Sequence, residues 1–395
     1  MKTNVIDRVR VAALLLAGVV LSTISAPAAE PSAGHSERIA AALQPFVDAQ
    51  TLAGAVALVA DKDHTLSVET VGFADIAAKK PMPAEAMFWI ASQSKPITAT
   101  ALMMLVDEGK VKLDDPVAKY LSEFKELWWA AEQDQEHVLL KRPPPITVRQ
   151  ALSHTSGLPF KSALEQPTLD LLALAVAVRS YAMTPLIFEP GTKYQYSNAG
   201  INTAGRIIEV VSGMPYEDFL QQRLFEPLGM HDTTFWPNEE QLSRLAKAYK
   251  PGAGGEGLEE TTVTQLKYPL DDRSRQPMPA GGLFSTAADV ARFCQMVLRG
   301  GEFAGKRYLS EAAVRQMTSK QTPETLKEQY GFGWATAGGT FGHGGAYATN
   351  MSIDAGRGLI TVFMVQHAGF PAGGRESLAA FRKAAEREFG EAGRR

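Results

Sequence analysis

The sequence has almost no cysteine: Cys294 is the only one among 395 residues. A single thiol cannot form an intramolecular disulfide, so the fold must be stabilised by its apolar core. A chain of this length with 45% hydrophobic residues can supply that core. Cys294 follows Val290, Ala291 and Phe293 in a helical pattern, and we therefore expect a packed thiol rather than a nucleophile.

The sequence also lacks a strong charge of either sign, since its formal net charge is −3. This balance argues against a nucleic-acid partner, which favours a basic footprint. There is no P-loop, no H-E-x-x-H and no G-x-S-x-G motif, and the seven histidines are scattered without the spacing of metal ligands. The sequence therefore predicts no metal, no cofactor and no nucleic acid.

Long apolar runs are absent as well. The longest, residues 11–21, is about half of the roughly 20 residues that span a bilayer. Three basic residues precede it and the small residues Ser25 to Ala29 follow it, which is the pattern of a secretory signal. We expect a signal peptide over residues 1–28, a periplasmic or secreted protein, and no membrane anchor after cleavage. The oligomeric state cannot be predicted.

Hydrophobic periodicity divides the chain into three parts. The first part predicts a helix, two strands and a second helix that begins at Ser92; the last part predicts strands and a closing helix. The middle is predicted to be mainly helical, with a long surface excursion, that is, an extended loop, between Trp128 and Pro145. We therefore expect a discontinuous α/β domain with an inserted helical domain and a site in the cleft between them. The predicted elements are helices at 36–50, 92–108 and 374–389 and strands at 54–60, 65–72, 330–335, 346–353 and 359–366. The predicted domains are 36–113 with 271–390, and 114–270.

Ser92 and Lys95 are the first candidates for chemistry. A serine hydroxyl needs a base to act as a nucleophile, and residues three apart share one face of a helix. Ser92 would also lie at a helix N-terminus, where the dipole favours negative charge. Ser94 is a weaker candidate because it does not share the face of Lys95. The spacing alone is also compatible with a helix cap and a solvated lysine.

Tyr196 and Asn198 form a second motif, Tyr-Ser-Asn. A tyrosine can transfer protons when a cation lies nearby, and an asparagine amide can hold a lysine and a substrate amide together. A turn rich in polar residues would explain the same sequence.

The third motif is Phe341-Gly-His-Gly-Gly-Ala346. Paired glycines allow the backbone to approach a ligand closely, and an exposed strand edge offers N–H groups to an oxyanion. The alternative is a glycine hairpin that carries a surface histidine.

Taken in this order, the three motifs resemble those of the penicillin-recognising serine hydrolases, which include class C β-lactamases, DD-peptidases, D-aminopeptidases and family VIII esterases. Several other segments are similar to the family's. They are Val148 to Leu158, Phe188 to Gly191, Leu224 to Met230 and Pro279 to Thr286. The resemblance covers about 36–390. It implies an α+β, β-lactamase/transpeptidase-like fold, in which an antiparallel sheet is flanked by helices.

The resemblance also implies roles for individual residues. Ser92 matches the nucleophile, Lys95 its base, Tyr196 the proton-exchanging tyrosine and Asn198 the residue that orients lysine and substrate. The remaining matches are to the substrate and oxyanion region, where backbone amides of Ser92 and Ala346 would form the oxyanion hole: they are His343, Gly344, Gly345 and Ala346. We expect His154, in the His-Thr-Ser-Gly segment, to be structural.

At His343 the sequence departs from the family's usual motif, and this difference bears on the choice of substrate. Many family members have a lysine there, a fixed cation that helps to bind a carboxylate, whereas histidine can be neutral at pH 7. We therefore rank hydrolysis of a small acyl ester or D-residue-containing peptide first. Action on β-lactams or peptidoglycan is second, and a non-catalytic binding module third. Trp128 and Trp129 could line the substrate pocket or simply pack elsewhere.

Overall fold

A computed structural model describes residues 36–134 and 137–390. The predicted signal peptide, residues 1–28, lies outside the described residues. Helices and strands occur along the whole of the described range. The helices are α1 Glu37–Asp48, α2 Ser94–Asp107, α3 Val148–Leu152, α4 Leu174–Ala182, α5 Asn198–Ser212, α6 Tyr216–Leu220, α7 Glu226–Leu228, α8 Glu239–Ser243, α9 Ala287–Leu298, α10 Glu311–Thr318 and α11 Glu376–Phe389. The strands are β1 Gly54–Ala60, β2 Thr65–Asp75, β3 Lys80–Pro81, β4 Phe88–Trp89, β5 Trp129–Gln133, β6 Val138–Lys141, β7 Ala248–Pro251, β8 Leu258–Thr261, β9 Phe284–Ser285, β10 Glu302–Phe303, β11 Lys306–Arg307, β12 Ala335–Ala337, β13 Thr340–Gly344, β14 Asn350–Asp354 and β15 Leu359–Met364.

The central sheet has seven strands in the order β12-β13-β14-β15-β1-β2-β3, and every neighbouring pair is antiparallel. Its middle joins the two ends of the chain, because β1 pairs with β15 in a register that places Val56 opposite Met364. The fold is thus the β-lactamase/transpeptidase-like α+β fold expected from the sequence.

Helices cover both faces of this sheet. All seven residues of β1 are buried, as a strand covered on both faces requires. Its odd-numbered positions, such as Ala57, pack with apolar residues of α1 and α11, among them Ile39 and Phe381. The even-numbered positions, such as Leu58, pack with residues of α2 and α9, among them Leu102 and Phe293.

Helix α2 lies at the centre of the larger core. Residues Ser94 to Leu105 are all buried, so this helix has no solvated face. Helix α5 packs against α2, α3 and α4. The two helices therefore bring their first turns, which carry Lys95 and Asn198, to the same place.

The structure corrects several sequence predictions. The middle of the chain contains two hairpins, β5–β6 and β7–β8, besides its helices, and the first of them occupies much of the expected excursion. The segment 330–335 is mostly a loop rather than a strand, because Gly333 has φ of 75° and lies against the backbone of Lys95. His343 lies within strand β13, and the strand predicted from 346 begins only at Asn350. Among the described helices none is both long and apolar enough to cross a membrane.

Candidate active site

Ser92 lies in a single turn of 3₁₀-helix, Ala91–Gln93, that leads directly into α2. The preceding residue, Ala91, has φ of 47°. A residue with a Cβ is strained in this left-handed region, and such strain is often found at functional sites. Ser92 is half-buried. Ser94, the weaker candidate, is fully buried and donates to the carbonyl of Ala91 at 2.7 Å, so its hydroxyl serves the helix start.

Lys95 is fully buried, and three groups surround its amine. Nζ lies 3.0 Å from Ser92 Oγ, 2.8 Å from Asn198 Oδ1 and 2.7 Å from the carbonyl oxygen of Ala280. Burial lowers the pKa of Lys95 well below its ordinary value, which favours the neutral amine. A neutral amine has two N–H groups and one lone pair. Because Asn198 Oδ1 and the Ala280 carbonyl can only accept, they take both N–H groups, and the lone pair faces Ser92 Oγ.

Tyr196 directly precedes helix α5, whose N-cap is Ser197. The Tyr196 ring lies with its centroid 4.6 Å from Lys95 Nζ. Burial raises the pKa of Tyr196, while a hydrogen bond with Ser92 acts in the opposite direction. The phenol is therefore protonated at neutral pH and is placed to exchange a proton with the serine.

His343, on β13, lies next to Tyr196. Its Nδ1 lies 2.7 Å from the carbonyl oxygen of Gly344, which accepts only, so Nδ1 carries the proton. Nε2 then accepts from the Tyr330 hydroxyl at 3.0 Å and lies 3.5 Å from Tyr196 Oη. Burial is the main cause that lowers the pKa of His343, to about 3. His343 is thus neutral in the folded protein and touches Tyr196.

His154 also packs against Tyr196. The centroids of its ring and the Tyr196 ring are 4.6 Å apart, as are those of His154 and Tyr330. Its Nδ1 accepts from the backbone N–H of Ser197 at 3.1 Å, and its backbone φ is 61°. Burial lowers the pKa of His154 well below the usual value. A neutral His154 thereby fixes the backbone that carries Tyr196.

The predicted oxyanion residues lie at the end of β13. Gly345 is packed so closely that a Cβ there would lie 2.6 Å from the carbonyl oxygen of Ile90. Glycine therefore lets this strand end approach the turn that carries Ser92. Gly344 has room for a side chain, because its nearest neighbour would be at 3.6 Å. Within the described residues, the backbone N–H groups of Ser92 and Ala346 make no hydrogen bond, and both residues line one cavity.

That cavity has a volume of about 280 Å³ and opens onto Ser92, Tyr196 and Asn198. None of the described residues that line it is charged. Its remaining walls are apolar or neutral, and they come from six separate segments of the chain. They are Trp89, Ala91, Phe160, Leu169, Gln265, Met278, Ala280, Gly281 and the strand end Gly344–Ala346.

Sequence reasoning missed most of these walls. Leu169, Gln265 and Met278 lie in loops without any motif, and no sequence signal identifies them. Ala280 lies in a segment that resembles the family's, but the role of its carbonyl follows only from the structure. Of the two tryptophans considered from the sequence, neither Trp128 nor Trp129 lines the cavity. Trp128 is 42% exposed, and the guanidinium of Arg142 lies 4.0 Å from the centroid of the Trp128 ring. Trp129 pairs within the β5–β6 hairpin. Within the described residues, no group of three or more His, Cys, Asp or Glu side chains is arranged to hold a metal ion.

Comparison with known proteins gives the same picture of the fold. The family model described as Beta-lactamase matches residues 39–385. The chain is 31% identical to Protein Rv1367c of Mycobacterium tuberculosis (strain ATCC 25618 / H37Rv), over 87% of this chain and 95% of that protein. It is 27% identical to Esterase EstB of Burkholderia gladioli, over 85% of this chain and 92% of the esterase.

A solved structure is similar over the same extent. It is EstCE1, described as a hydrolase with promiscuous acyltransferase activity, with a TM-score of 0.74 and 25% identity. The match covers 88% of this chain and 97% of that one.

Proposed function

The chain belongs to the Beta-lactamase family, whose members are serine hydrolases, and from this we propose that it hydrolyses small, neutral acyl esters or amides through an acyl-enzyme on Ser92. A D-residue-containing peptide without a free carboxylate is one such amide. The observation that carries this proposal is the uncharged cavity around Ser92.

The neutrality of the cavity bears on substrate because a carboxylate must be paired when it leaves water. The described lining residues offer amides, a phenol and apolar groups, but no cation. His343 is held neutral by burial and is engaged with Gly344 and Tyr330. A substrate whose acyl portion is uncharged therefore fits this cavity better than one with a free carboxylate there.

The reaction begins with the Lys95 lone pair. Ser92 Oγ bonds to the substrate carbonyl carbon, its proton passes to Lys95 Nζ, and the carbonyl π pair moves onto oxygen. The backbone N–H groups of Ser92 and Ala346 then stabilise that oxyanion. When the oxyanion collapses, the bond to the leaving oxygen or nitrogen breaks.

Tyr196 completes the transfer. Its hydroxyl gives a proton to the leaving group and regains the proton that Lys95 took from Ser92; the Lys95 amine lies 4.6 Å from the centre of the Tyr196 ring. Water then attacks the acyl-enzyme with the same groups acting in reverse, which releases the acid and restores Ser92. Apart from the substrate and one water molecule, no further reactant is needed to balance the two steps.

A substrate panel tests this proposal. Purified protein would be assayed with p-nitrophenyl esters of increasing acyl length, with D-amino-acid amides and with nitrocefin, beside Ser92→Ala as the blank. We expect turnover of the short esters or amides to exceed that of nitrocefin. Preferential turnover of nitrocefin, or equal activity of Ser92→Ala, would contradict it.

The alternative function, action on β-lactams or peptidoglycan stems, is favoured by one observation. A neighbouring cavity of about 350 Å³ shares Gly344, Gly345 and Ala346 with the first and is lined by the exposed Arg375. This cation could pair with a carboxylate beyond the strand end. Arg375→Met separates the two functions: it should leave neutral esters unaffected, whereas a drop in the turnover of carboxylate-bearing substrates alone would support the alternative.

Export is also proposed, on the composition of residues 1–28. Expression of the full chain in a bacterial host, followed by N-terminal sequencing of the periplasmic fraction, tests it. We expect a mature chain that begins near residue 29; an uncleaved cytoplasmic product would contradict the proposal.

A further inference from the structure

Asn202 lies one helical turn after Asn198 on α5 and is only 2% exposed. Its Oδ1 accepts from the backbone N–H of Ala280 at 3.0 Å. Its Nδ2 donates to the hydroxyl of Tyr181 at 2.9 Å. Because residues four apart lie on one helix face, the two asparagines face the same region. Asn198 reaches Lys95 directly, and Asn202 reaches the residue whose carbonyl holds Lys95.

From Asn202 a chain of hydrogen bonds runs through Tyr181 and Glu165 to the backbone of Ser162. Tyr181, on α4, donates to Glu165 Oε1 at 2.8 Å, and Glu165 Oε2 accepts from the backbone N–H of Ser162 at 2.7 Å. Both Tyr181 and Glu165 are buried. Since the Tyr181 proton is used for Glu165, its oxygen can only accept from Asn202. This fixes the Asn202 amide with its Oδ1 towards Ala280.

The peptide around Ala280 is held from a second side. Thr98, on α2, donates to the carbonyl of Pro279 at 2.7 Å. The carbonyl of Ala280 accepts from Lys95 Nζ at 2.7 Å. Asn202 and Thr98 thus hold the Pro279–Ala280 peptide at both ends. The N–H of the next peptide, that of Gly281, donates to the carbonyl of Met278 at 3.1 Å. The Ala280 carbonyl therefore cannot turn away from Lys95 without breaking a buried hydrogen bond.

We propose that Asn202 is a positioning residue, anchored by Tyr181 and Glu165, which holds the Ala280 carbonyl against Lys95 so that the lysine lone pair faces Ser92. This inference rests on the proposed function, because it assigns the base of that reaction its orientation. Without Asn202, the second N–H of the amine loses its fixed acceptor. The amine can then rotate, and the lone pair faces Ser92 Oγ for only part of the time.

Three variants test the inference: Asn202→Ala, Tyr181→Phe and, as a matched control, Thr203→Val. Thr203 is buried on the same helix, and its hydroxyl donates to the carbonyl of Ala199 at 2.7 Å. Its loss therefore removes a buried hydrogen bond without touching Ala280. Each variant would be reacted with a fluorophosphonate, and both the amplitude and the rate constant of labelling would be measured. An ester substrate that the wild type turns over then gives kcat and KM.

For Asn202→Ala we expect the labelling rate constant and kcat to fall by about 10- to 100-fold, as small misplacements of catalytic groups do. KM and the labelling amplitude should stay at the wild-type values, and Tyr181→Phe should show a smaller fall of the same kind. Thr203→Val should match the wild type. A merely structural role would instead lower the amplitude, because fewer molecules would be folded, and would leave the rate constant unchanged.

A wild-type rate constant in folded Asn202→Ala would overturn the inference. If Asn202→Ala does not fold, as judged by circular dichroism, Tyr181→Phe decides: a reduced rate constant supports the inference and an unchanged one overturns it. Failure of the proposed function is a separate result, since in that case the wild-type protein itself would not be labelled at Ser92.

Discussion

The side-chain oxygen of Asn198, in the first turn of α5, lies 2.8 Å from Nζ of Lys95, in the first turn of α2. The two residues are 103 positions apart in the chain. Their contact, with that of Ala280, accounts for both N–H groups of a neutral Lys95. Burial lowers the lysine pKa, so the amine is deprotonated over part of the pH range in which a free lysine would be charged.

Asn198→Asp tests the charge state of Lys95. The substitution keeps an acceptor at the same place but adds a negative charge within hydrogen-bond distance, which favours the ammonium and raises the lysine pKa. Because the reaction needs neutral Lys95, activity rises with pH through that pKa. We expect the acid limb of the kcat/KM profile to move to higher pH in Asn198→Asp. An acid limb that stays in place or moves lower would contradict the role of Lys95 as base.

Tyr196→Phe tests proton transfer to the leaving group. A p-nitrophenolate leaves without much help, whereas an alkoxide needs a proton. We therefore expect the variant to lose about 10²- to 10⁴-fold in kcat on an alkyl ester, which is the usual range for general acid catalysis. The loss on the matching p-nitrophenyl ester should be much smaller. Equal losses on both esters would place Tyr196 in another step.

Gly345→Ala and Gly344→Ala form a matched pair at the strand end. A Cβ on Gly345 would lie within 2.6 Å of the Ile90 carbonyl, next to the turn of Ser92, whereas a Cβ on Gly344 has ordinary contacts. We expect Gly345→Ala to lower kcat by about 10²-fold, by displacing the oxyanion N–H of Ala346. Gly344→Ala should keep most activity. Steady-state kinetics of both variants on one ester measures the two losses in kcat. A larger loss in Gly344→Ala than in Gly345→Ala would refute this account of the strand end.

Asp170→Ala tests the packing of the cavity wall. Asp170 and Arg275 form an ion pair at 2.7 Å and are 0% and 2% exposed. Removing one partner leaves a buried charge, so we expect a loss of about 3–5 kcal/mol in the free energy of unfolding.

The control for this substitution is Glu311→Ala, which breaks an exposed pair with Arg315 and should cost less than about 1 kcal/mol. Urea denaturation measures both variants. Similar losses in the free energy of unfolding of the two variants would show that the buried ion pair matters no more to stability than the exposed one, and would contradict this prediction.

The parts of the site that sequence could predict are those with local spacing. Ser92 and Lys95 are joined by one helical turn, and Tyr196 and Asn198 flank one N-cap, so each pair can be placed before the fold is known. Ala280 and Gln265 could not be placed, because their contacts depend on how distant loops pack.

The errors in the fold have similar causes. The aromatic residues of segment 330–335 predict a strand, but Gly331 and Gly333 allow close contacts with the backbones of Met317 and Lys95 that a strand would not make. Asn202 could have been suspected, since it lies four residues after Asn198 on one helix face. Its partners Tyr181 and Ala280, however, are known only from the structure.

The central claim, that Ser92 is the nucleophile, is tested most directly by locating a fluorophosphonate adduct by peptide mass spectrometry. The intact wild-type protein would be labelled at neutral pH, digested and sequenced, with Ser92→Ala and Ser94→Ala treated in parallel. We predict one adduct, on Ser92, that is lost in Ser92→Ala and kept in Ser94→Ala. An adduct on another residue, or labelling that persists in Ser92→Ala, would contradict the account.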